Sequence, residues 1–320
     1  MSAKGENADM SLLASRLVLG TVQWGMPYGV ANRTGQPDAC EVGQILELAA
    51  AHGVTTLDTA RAYGASENVI GALTARDTRW TIVTKLSDAL DDQASTPACV
   101  RAAQESLSLS RAALKRTKLD TVLLHRAAHR RISGGAVWDL LRRERDAGRI
   151  GQLGVSALSP EEAWEALDDG DVNAVQVASS LIDQRLSRAG FFERALAAKR
   201  AVYVRSIFLQ GAALMNESAL PQHLEPLQTA LRLARGWAHT HSLPLVSAFL
   251  AFGFALPGAR IIIGCERRAQ LQENIDAIKS MDSKLESIRT CAASIPEFPE
   301  SIVNPALWPR NQAVARQEGR

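Results

Sequence analysis

The feature that most constrains the fold of this 320-residue chain is a repeated alternation between two kinds of segment. A short run of apolar and β-branched residues is followed each time by a longer segment with the apolar spacing of an amphipathic helix. Parallel strands joined by helices produce this pattern, because a crossover between parallel strands needs a dozen or more residues. The alternation therefore predicts a parallel α/β protein.

Eight strands are predicted, at 17–21, 54–58, 81–85, 119–125, 150–156, 172–177, 201–206 and 260–264. Eight βα units in about 250 residues are the count and size of a (β/α)₈ TIM barrel. A doubly wound sheet would need a GxGxxG turn after its first strand, and GTVQWGMPYG does not contain one. We predict an α/β fold of the single-domain (β/α)₈ class over 17–280. A flexible tail over 1–16 precedes it, and a C-terminal helix and loop over 281–320 pack near the barrel mouth.

Composition and charge exclude several classes of function. The 36 Lys and Arg residues against 34 Asp and Glu residues leave a formal charge of +2, too little to hold nucleic acid or an anionic membrane surface. The most apolar stretch, 244–258, is well short of the roughly 20 residues of a membrane span. The four cysteines have neither CxxC spacing nor companion histidines, so we expect no metal site and no disulfide framework. We expect a cytoplasmic protein of undetermined oligomeric state.

Polar side chains are predicted at the carboxyl ends of seven of the eight strands, where TIM barrels carry their active sites. The residues that the strands present there are, in order, Thr21, Asp58, Lys85, His125, Ser156, Gln176, Arg205 and Gly264. Each has an ordinary structural interpretation when it is taken alone. Asp58 could cap a helix, Lys85 could be a surface cation, and His125 could be a hydrogen-bonded core residue.

The combination is more informative than its members. Asp58, Lys85 and His125 lie on three successive strands, and Tyr63 follows Asp58 by five residues. A lysine ammonium lowers the pKa of a nearby phenol, and a carboxylate paired with the lysine keeps it charged and in place. Such a phenol can protonate a developing alkoxide at neutral pH. With a bound hydride donor, this set predicts carbonyl reduction.

Six segments then follow in order: LDTARAYGASENVIG, VTKLS, VLLHR, GQLGVSA and AVQVASSL at five successive strand ends, and QLQEN on a helix. They resemble the motifs of the aldo-keto reductase superfamily, whose members are nicotinamide-dependent (β/α)₈ oxidoreductases, from about Leu17 to Ile278. The resemblance implies a catalytic tetrad of Asp58, Tyr63, Lys85 and His125, with Tyr63 as the general acid.

The resemblance also implies a cofactor, NADPH or less often NADH, that lies extended across the barrel mouth. Ser156 and Gln176 would hold the carboxamide of its nicotinamide. The full set of cofactor-binding positions that it implies comprises Gly20, Thr21, Ser156, Gln176, Arg205, Ser206, Phe208, Gln210, Gly211, Gly264, Cys265, Arg267, Arg268, Gln270, Glu273 and Asn274.

The chain departs from the commonest family pattern in three places. Ala157 stands where an asparagine usually follows the serine of the GVS motif, so one amide hydrogen bond to the cofactor is missing or replaced. Arg205 stands where many members stack an aromatic ring on the nicotinamide, and its charge could instead bind an anionic substrate. Gly264, Cys265 and Gln270 replace the residues that usually bind the 2′-phosphate. Arg267 and Arg268 lie close by and could supply the positive charge.

The substrate is expected to be a small or sugar-like carbonyl compound. Trp24, Tyr28 and Arg126 are the substrate-contacting candidates, and Phe208 and Trp308 could complete an aromatic wall. Two other functions stay open. One is an NADPH-binding, catalytically slow protein that senses redox state through a partner, and the other is a cofactor-free barrel enzyme that isomerises sugars.

Overall fold

The eight predicted strands close into a parallel barrel in a computed structural model that describes residues 15–91, 93–281 and 284–309. The strands are β1 (Leu17–Gly20), β2 (Thr56–Asp58), β3 (Thr81–Lys85), β4 (Leu119–Leu124), β5 (Ile150–Ser156), β6 (Ala174–Ala178), β7 (Ala201–Arg205) and β8 (Ala259–Gly264). Each strand pairs with its sequence neighbour, and β8 pairs with β1 to close the ring. The prediction of a single-domain (β/α)₈ barrel is confirmed.

Helices lie between successive strands and also follow the last strand. They are α1 (Val22–Gly25), α2 (Ala39–Ala51), α3 (Ser66–Thr74), α4 (Thr96–Leu114), α5 (Ala136–Asp146), α6 (Pro160–Asp168), α7 (Arg185–Arg188), α8 (Phe191–Ala197), α9 (Gln228–Thr240), α10 (Leu245–Ala255), α11 (Arg268–Met281), α12 (Leu285–Ser294) and α13 (Glu300–Val303). The short 3₁₀ helices are Ala127–Arg130, Ile132–Gly135, Leu209–Leu214, Glu217–Ala219, Gln222–Leu227 and Pro305–Leu307.

The apolar spacing in the sequence predicts a helix from Glu225, but α9 begins three residues later, at Gln228. Pro226 lies in the 3₁₀ helix before it, and proline cannot donate the backbone hydrogen bond that an α-helix interior requires. The short helices α1 and α7 were not predicted, because four residues carry too little periodicity to identify a helix. Helix α1 determines the direction of the Trp24 side chain.

Apolar side chains fill two separate layers of the barrel. The interior cluster consists of Val18, Val83, Leu123, Ala174, Tyr203 and Ile262. Tyr203 is fully buried, and its hydroxyl accepts a hydrogen bond of 2.7 Å from Arg260 Nη1. A larger cluster lies between the strands and the surrounding helices. The filled interior leaves the carboxyl ends of the strands as the place where a ligand can bind.

The C-terminal segment packs against loops at the carboxyl end of the barrel. Gln184 Nε2 in the loop after β6 donates to the Ala292 carbonyl at 2.9 Å, and Arg188 Nη2 donates to the Ile295 carbonyl at 2.8 Å. Trp308 packs edge-on against His223 in the segment after β7. The domain boundaries stay a prediction, and residues 1–14 and 310–320 lie outside the described residues. Within the described part of the chain, no helix combines the length and apolar character that crossing a membrane requires.

Candidate active site

A cavity of about 330 Å³ opens at the carboxyl end of the strands. Segments that follow β1, β2, β6, β7 and β8 form its wall. Among the predicted site residues, those that line it are Gly20, Thr21, Tyr28, Asp58, Tyr63, Gln176, Arg205, Ser206, Phe208, Gln210, Gly211, Gly264, Gln270, Glu273 and Asn274. The volume and the mixture of apolar and polar groups are typical of a small-molecule site.

A buried ion pair lies at the inner end of this cavity. Lys85 Nζ donates to both carboxylate oxygens of Asp58 at 2.8 Å and to the Thr59 carbonyl at 2.9 Å. Gln176 Nε2 donates to Asp58 Oδ1 at 2.7 Å from the opposite side. The Lys85 side chain is 1% exposed and that of Asp58 5% exposed. The ammonium therefore has three acceptor contacts in place of water, which a buried charge requires.

Tyr63 lies next to this ion pair. The centroid of its ring is 4.9 Å from Lys85 Nζ. Burial alone would lower the pKa of the Lys85 ammonium, but the Asp58 carboxylate and the Tyr63 phenol together outweigh burial and raise it. Lys85 therefore stays charged throughout the neutral range, with its positive charge beside the phenol.

His125 follows the last residue of β4 and packs edge-on against Tyr63, with ring centroids 6.0 Å apart. Its Nδ1 is buried and has no hydrogen-bond partner among the described residues. Burial, and then the charges of Lys85, Arg205 and Arg126, lower the pKa of His125 to about 4, against an opposing effect of Asp88. The imidazole is therefore neutral at physiological pH.

The loop that carries Tyr63 is held against α1 by a close backbone approach. A Cβ atom on Gly25 would lie 1.9 Å from the Tyr63 carbonyl oxygen, so no other residue fits there without moving the loop. Gly64 has a φ of +55°, a conformation that glycine adopts most readily, and a Cβ there would lie 2.4 Å from the Gly25 oxygen. Ser66, at the end of the same loop, forms hydrogen bonds through its Oγ to the hydroxyls of Thr21, at 2.7 Å, and Thr59, at 3.1 Å, which hold the loop in place.

Gln23 is a cavity residue that sequence reasoning missed. Its carboxamide lies against Gly264, where a Cβ atom would be only 2.4 Å from Gln23 Nε2. Gln23 Oε1 is buried and has no hydrogen-bond partner among the described residues. A buried acceptor without a partner, such as Gln23 Oε1 next to Gly264, fits a bound ligand that carries hydrogen-bond donors, such as a nicotinamide dinucleotide. No sequence signal identifies it, because Gln23 and Gly264 are far apart in the chain.

Four predicted cofactor-binding residues do not line the cavity. Ser156 is buried at the end of β5, where it pairs with Gln176 of β6. Cys265 is buried behind Gly264, and burial raises the pKa of its thiol to about 12. Arg267 and Arg268 are exposed at the start of α11.

Of the three substrate-contacting candidates, one lines the cavity and two do not. Tyr28 lines the cavity, and its hydroxyl accepts a hydrogen bond of 3.1 Å from Gln210 Nε2. Trp24 does not, because α1 turns its side chain into the core, where it is 1% exposed and its indole N–H donates to the Cys265 carbonyl. Trp308 is also buried away from the cavity, at the C-terminal segment. Arg126 is exposed immediately after His125.

The structure places Arg205 at the cavity wall. Arg205 Nη2 donates to the carbonyl of Ala157, the residue after Ser156, at 3.1 Å. Arg205 has no ion-pair partner within the described residues. The guanidinium thus faces the cavity without a carboxylate to neutralise it, which leaves it free to attract a negative group.

Comparison with known proteins identifies the family. The family model described as the aldo/keto reductase family matches residues 16–293. A structure from Pseudomonas aeruginosa that is assigned to the aldo-keto reductases has a TM-score of 0.61 and 25% identity, over 84% of this chain and 90% of its own. An aldo-keto reductase from Bacillus halodurans, in its holo form, has a TM-score of 0.70 over 90% of this chain and 95% of its own. At 18% identity, that second likeness concerns the fold.

No protein with a curated description matches the chain significantly. The family match nevertheless covers all eight strands, and the barrel, the cavity and the buried Asp58–Lys85 pair lie within the matched residues. The chain therefore belongs to the aldo/keto reductase family of NAD(P)H-dependent oxidoreductases.

Proposed function

We propose that this protein reduces an aldehyde or ketone to the alcohol, or catalyses the reverse oxidation, with Tyr63 as the general acid or base. The observation that carries the proposal is the arrangement of Tyr63 over the buried Asp58–Lys85 pair at the cavity wall. A phenol beside a permanently charged ammonium can give up its proton and be stabilised as phenolate.

A bound nicotinamide dinucleotide would supply the hydride. Gln176, Ser206, Gly264 and Asn274, which line the cavity, would hold the cofactor, together with the unpaired carboxamide oxygen of Gln23. Gln176 has a second task, because its bond to Asp58 keeps the carboxylate turned toward Lys85.

Each of the four residues has a separate role in the proposed proton transfer. Asp58 keeps Lys85 charged and fixed, and Lys85 stabilises the phenolate that remains after Tyr63 donates its proton to the substrate oxygen. Neutral His125 can donate one ring N–H to the same oxygen and so orient the carbonyl, without adding another positive charge to those of Lys85, Arg205 and Arg126. Proton transfer and substrate positioning are thus divided between two groups.

The substrate side of the proposal is a small carbonyl compound with a negative or polyhydroxylated group. The unneutralised guanidinium of Arg205 supports it, with Arg126 beside His125 as a second source of positive charge. A slow redox-sensing protein and a cofactor-free isomerase have no observation of their own to support them. The sensing protein would use the intact tetrad only slowly, and the isomerase would use Lys85 and His125 as acid and base but leave Tyr63 without a role.

Replacement of Tyr63 by phenylalanine should remove most turnover, because the ring stays and only the acidic proton is lost. A positioned general acid contributes roughly 10²–10⁴-fold, so kcat should fall by about that factor. Tyr28→Phe is the matched control, since it removes a second phenol from the same cavity and should leave kcat within a few-fold. Quenching of tryptophan fluorescence by the cofactor should be preserved in both variants. Substantial turnover by Tyr63→Phe would refute the proposed acid.

Replacement of Gly25 by alanine should also impair catalysis, although Gly25 does not line the cavity. The new methyl group overlaps the Tyr63 carbonyl and pushes the loop away from Lys85. A displacement of about 1 Å costs on the order of 10²-fold in rate, and kcat/KM is the quantity to measure. Gly43→Ala on α2 is the control, because a Cβ there meets no atom within 4 Å. Equal activity of the two variants would show that the Tyr63 loop tolerates the displacement.

The depressed pKa of His125 makes a prediction about stability and pH. The unfolded chain binds a proton at His125 below about pH 6.5, whereas the folded protein does so only near pH 4, so acidification between these values favours unfolding. The free energy of unfolding, measured in urea at pH 7 and pH 5, should therefore fall more in the wild type than in His125→Gln. The expected difference is about 1 kcal/mol or more. An identical pH dependence in the two proteins would mean that His125 titrates normally.

A further inference from the structure

The part of the cavity formed after β8 carries negative charge. The loop after β8 and the start of α11 contribute Glu266, Gln270, Glu273 and Asn274 to the wall, two carboxylates and two carboxamides. Among the described residues that line the cavity, the only cation is Arg205, which belongs to β7. NADH and NADPH differ by a phosphate group on one ribose. The family resemblance places that phosphate at this part of the cavity, where Gly264, Cys265 and Gln270 stand, so the charge here bears on the choice between the two cofactors.

The backbone donors at the start of α11 are already occupied. Helix N-termini commonly bind phosphate through free N–H groups. Here the N–H groups of Glu266 and Arg267 both donate to Gln270 Oε1, at 2.8 and 3.1 Å. The next N–H, of Arg268, donates to the carboxylate of Glu41. The start of the helix is thus capped by Gln270 and by Glu41 of α2, and a phosphate bound to these N–H groups would have to break the existing bonds.

Gln270 also holds Glu266 in place. Gln270 Nε2 donates to Glu266 Oε2 at 2.8 Å, which fixes that carboxylate at the cavity wall beside the capped N–H groups. A fixed carboxylate repels a phosphate dianion. Conversely, an ionised carboxylate only accepts hydrogen bonds, and the hydroxyls of an unmodified ribose can donate them.

From this geometry we infer that the protein uses NADH in preference to NADPH, with Glu266 as the residue that determines the choice. The inference rests on the proposed function, since it concerns the cofactor of that same cavity. It replaces the expectation that Arg267 and Arg268 hold a 2′-phosphate, because both side chains are exposed and outside the cavity wall. The capped helix leaves the N–H groups of Glu266, Arg267 and Arg268 without capacity to bind a phosphate. The fixed carboxylate of Glu266 repels it.

The test is a binding titration of the full chain with NADH and with NADPH, followed by quenching of tryptophan fluorescence. The Kd for NADPH should exceed that for NADH by at least about tenfold. Glu266→Gln keeps the shape of the side chain and removes the charge, so the ratio of the two Kd values should fall severalfold toward one. Glu286→Gln removes an exposed carboxylate on α12 and should leave the ratio unchanged. Circular dichroism establishes that each variant is folded.

The possible results separate the two proposals. Tighter binding of NADPH, lost in Arg268→Ala, would overturn the inference and leave the proposed function in place. A preference for NADH that Glu266→Gln does not reduce would overturn the role of Glu266. If neither dinucleotide binds, the proposed function and the inference both fail.

Discussion

The ion pair of Asp58 and Lys85 is the interaction on which the arrangement of the site depends. Two full charges lie almost completely out of water, and their desolvation is offset only because every contact is made: both carboxylate oxygens to Lys85 Nζ, the Thr59 carbonyl, and the Gln176 amide. Removal of one partner would leave an unpaired buried charge and destabilise the fold by about 3–5 kcal/mol. The same pair holds a positive charge beside the Tyr63 phenol, so stability and proposed chemistry depend on one contact.

The barrel explains how such a pair can form. Asp58 ends β2, Lys85 ends β3 and Gln176 lies in β6, and only a closed parallel sheet directs all three toward one opening. The loops then determine what the opening binds. The close approach of Gly25 and Gly64 determines where Tyr63 lies, while the side-chain caps at the start of α11 determine which donors a cofactor would meet. The proposed catalytic geometry and the inferred cofactor selection therefore depend on different parts of the chain.

The strand ends could be predicted from the sequence because each rests on local information. An apolar, β-branched run identifies the strand, and the polar residue that ends it identifies the mouth, as Asp58 and Lys85 illustrate. The direction of side chains in short irregular segments could not be predicted. Trp24 was expected at the substrate, but it lies on the single turn of α1 and faces the core. Gln23, one residue earlier, lines the cavity instead.

Long-range contacts also limited what the sequence could predict at the other end of the cavity. The sequence suggests Arg267 and Arg268 as phosphate ligands because they lie close to the positions where the family resemblance places the 2′-phosphate. What decides their surroundings is the capping of the helix by Gln270 and by Glu41, which is more than 200 residues away. No local pattern contains that contact, so the charge around the site emerges only from the folded chain.

The central claim is that Tyr63, held next to Lys85, donates its proton to the substrate oxygen in the same step in which hydride reaches the carbonyl carbon. The measurement that tests it most directly is the isotope dependence of a single turnover, with deuterium at C4 of the nicotinamide and with D₂O as solvent. The claim predicts that each substitution slows the same step and that D₂O still slows it when the cofactor is deuterated. A step that deuterated cofactor slows and D₂O leaves unchanged would contradict it, since the proton would then arrive separately from the hydride.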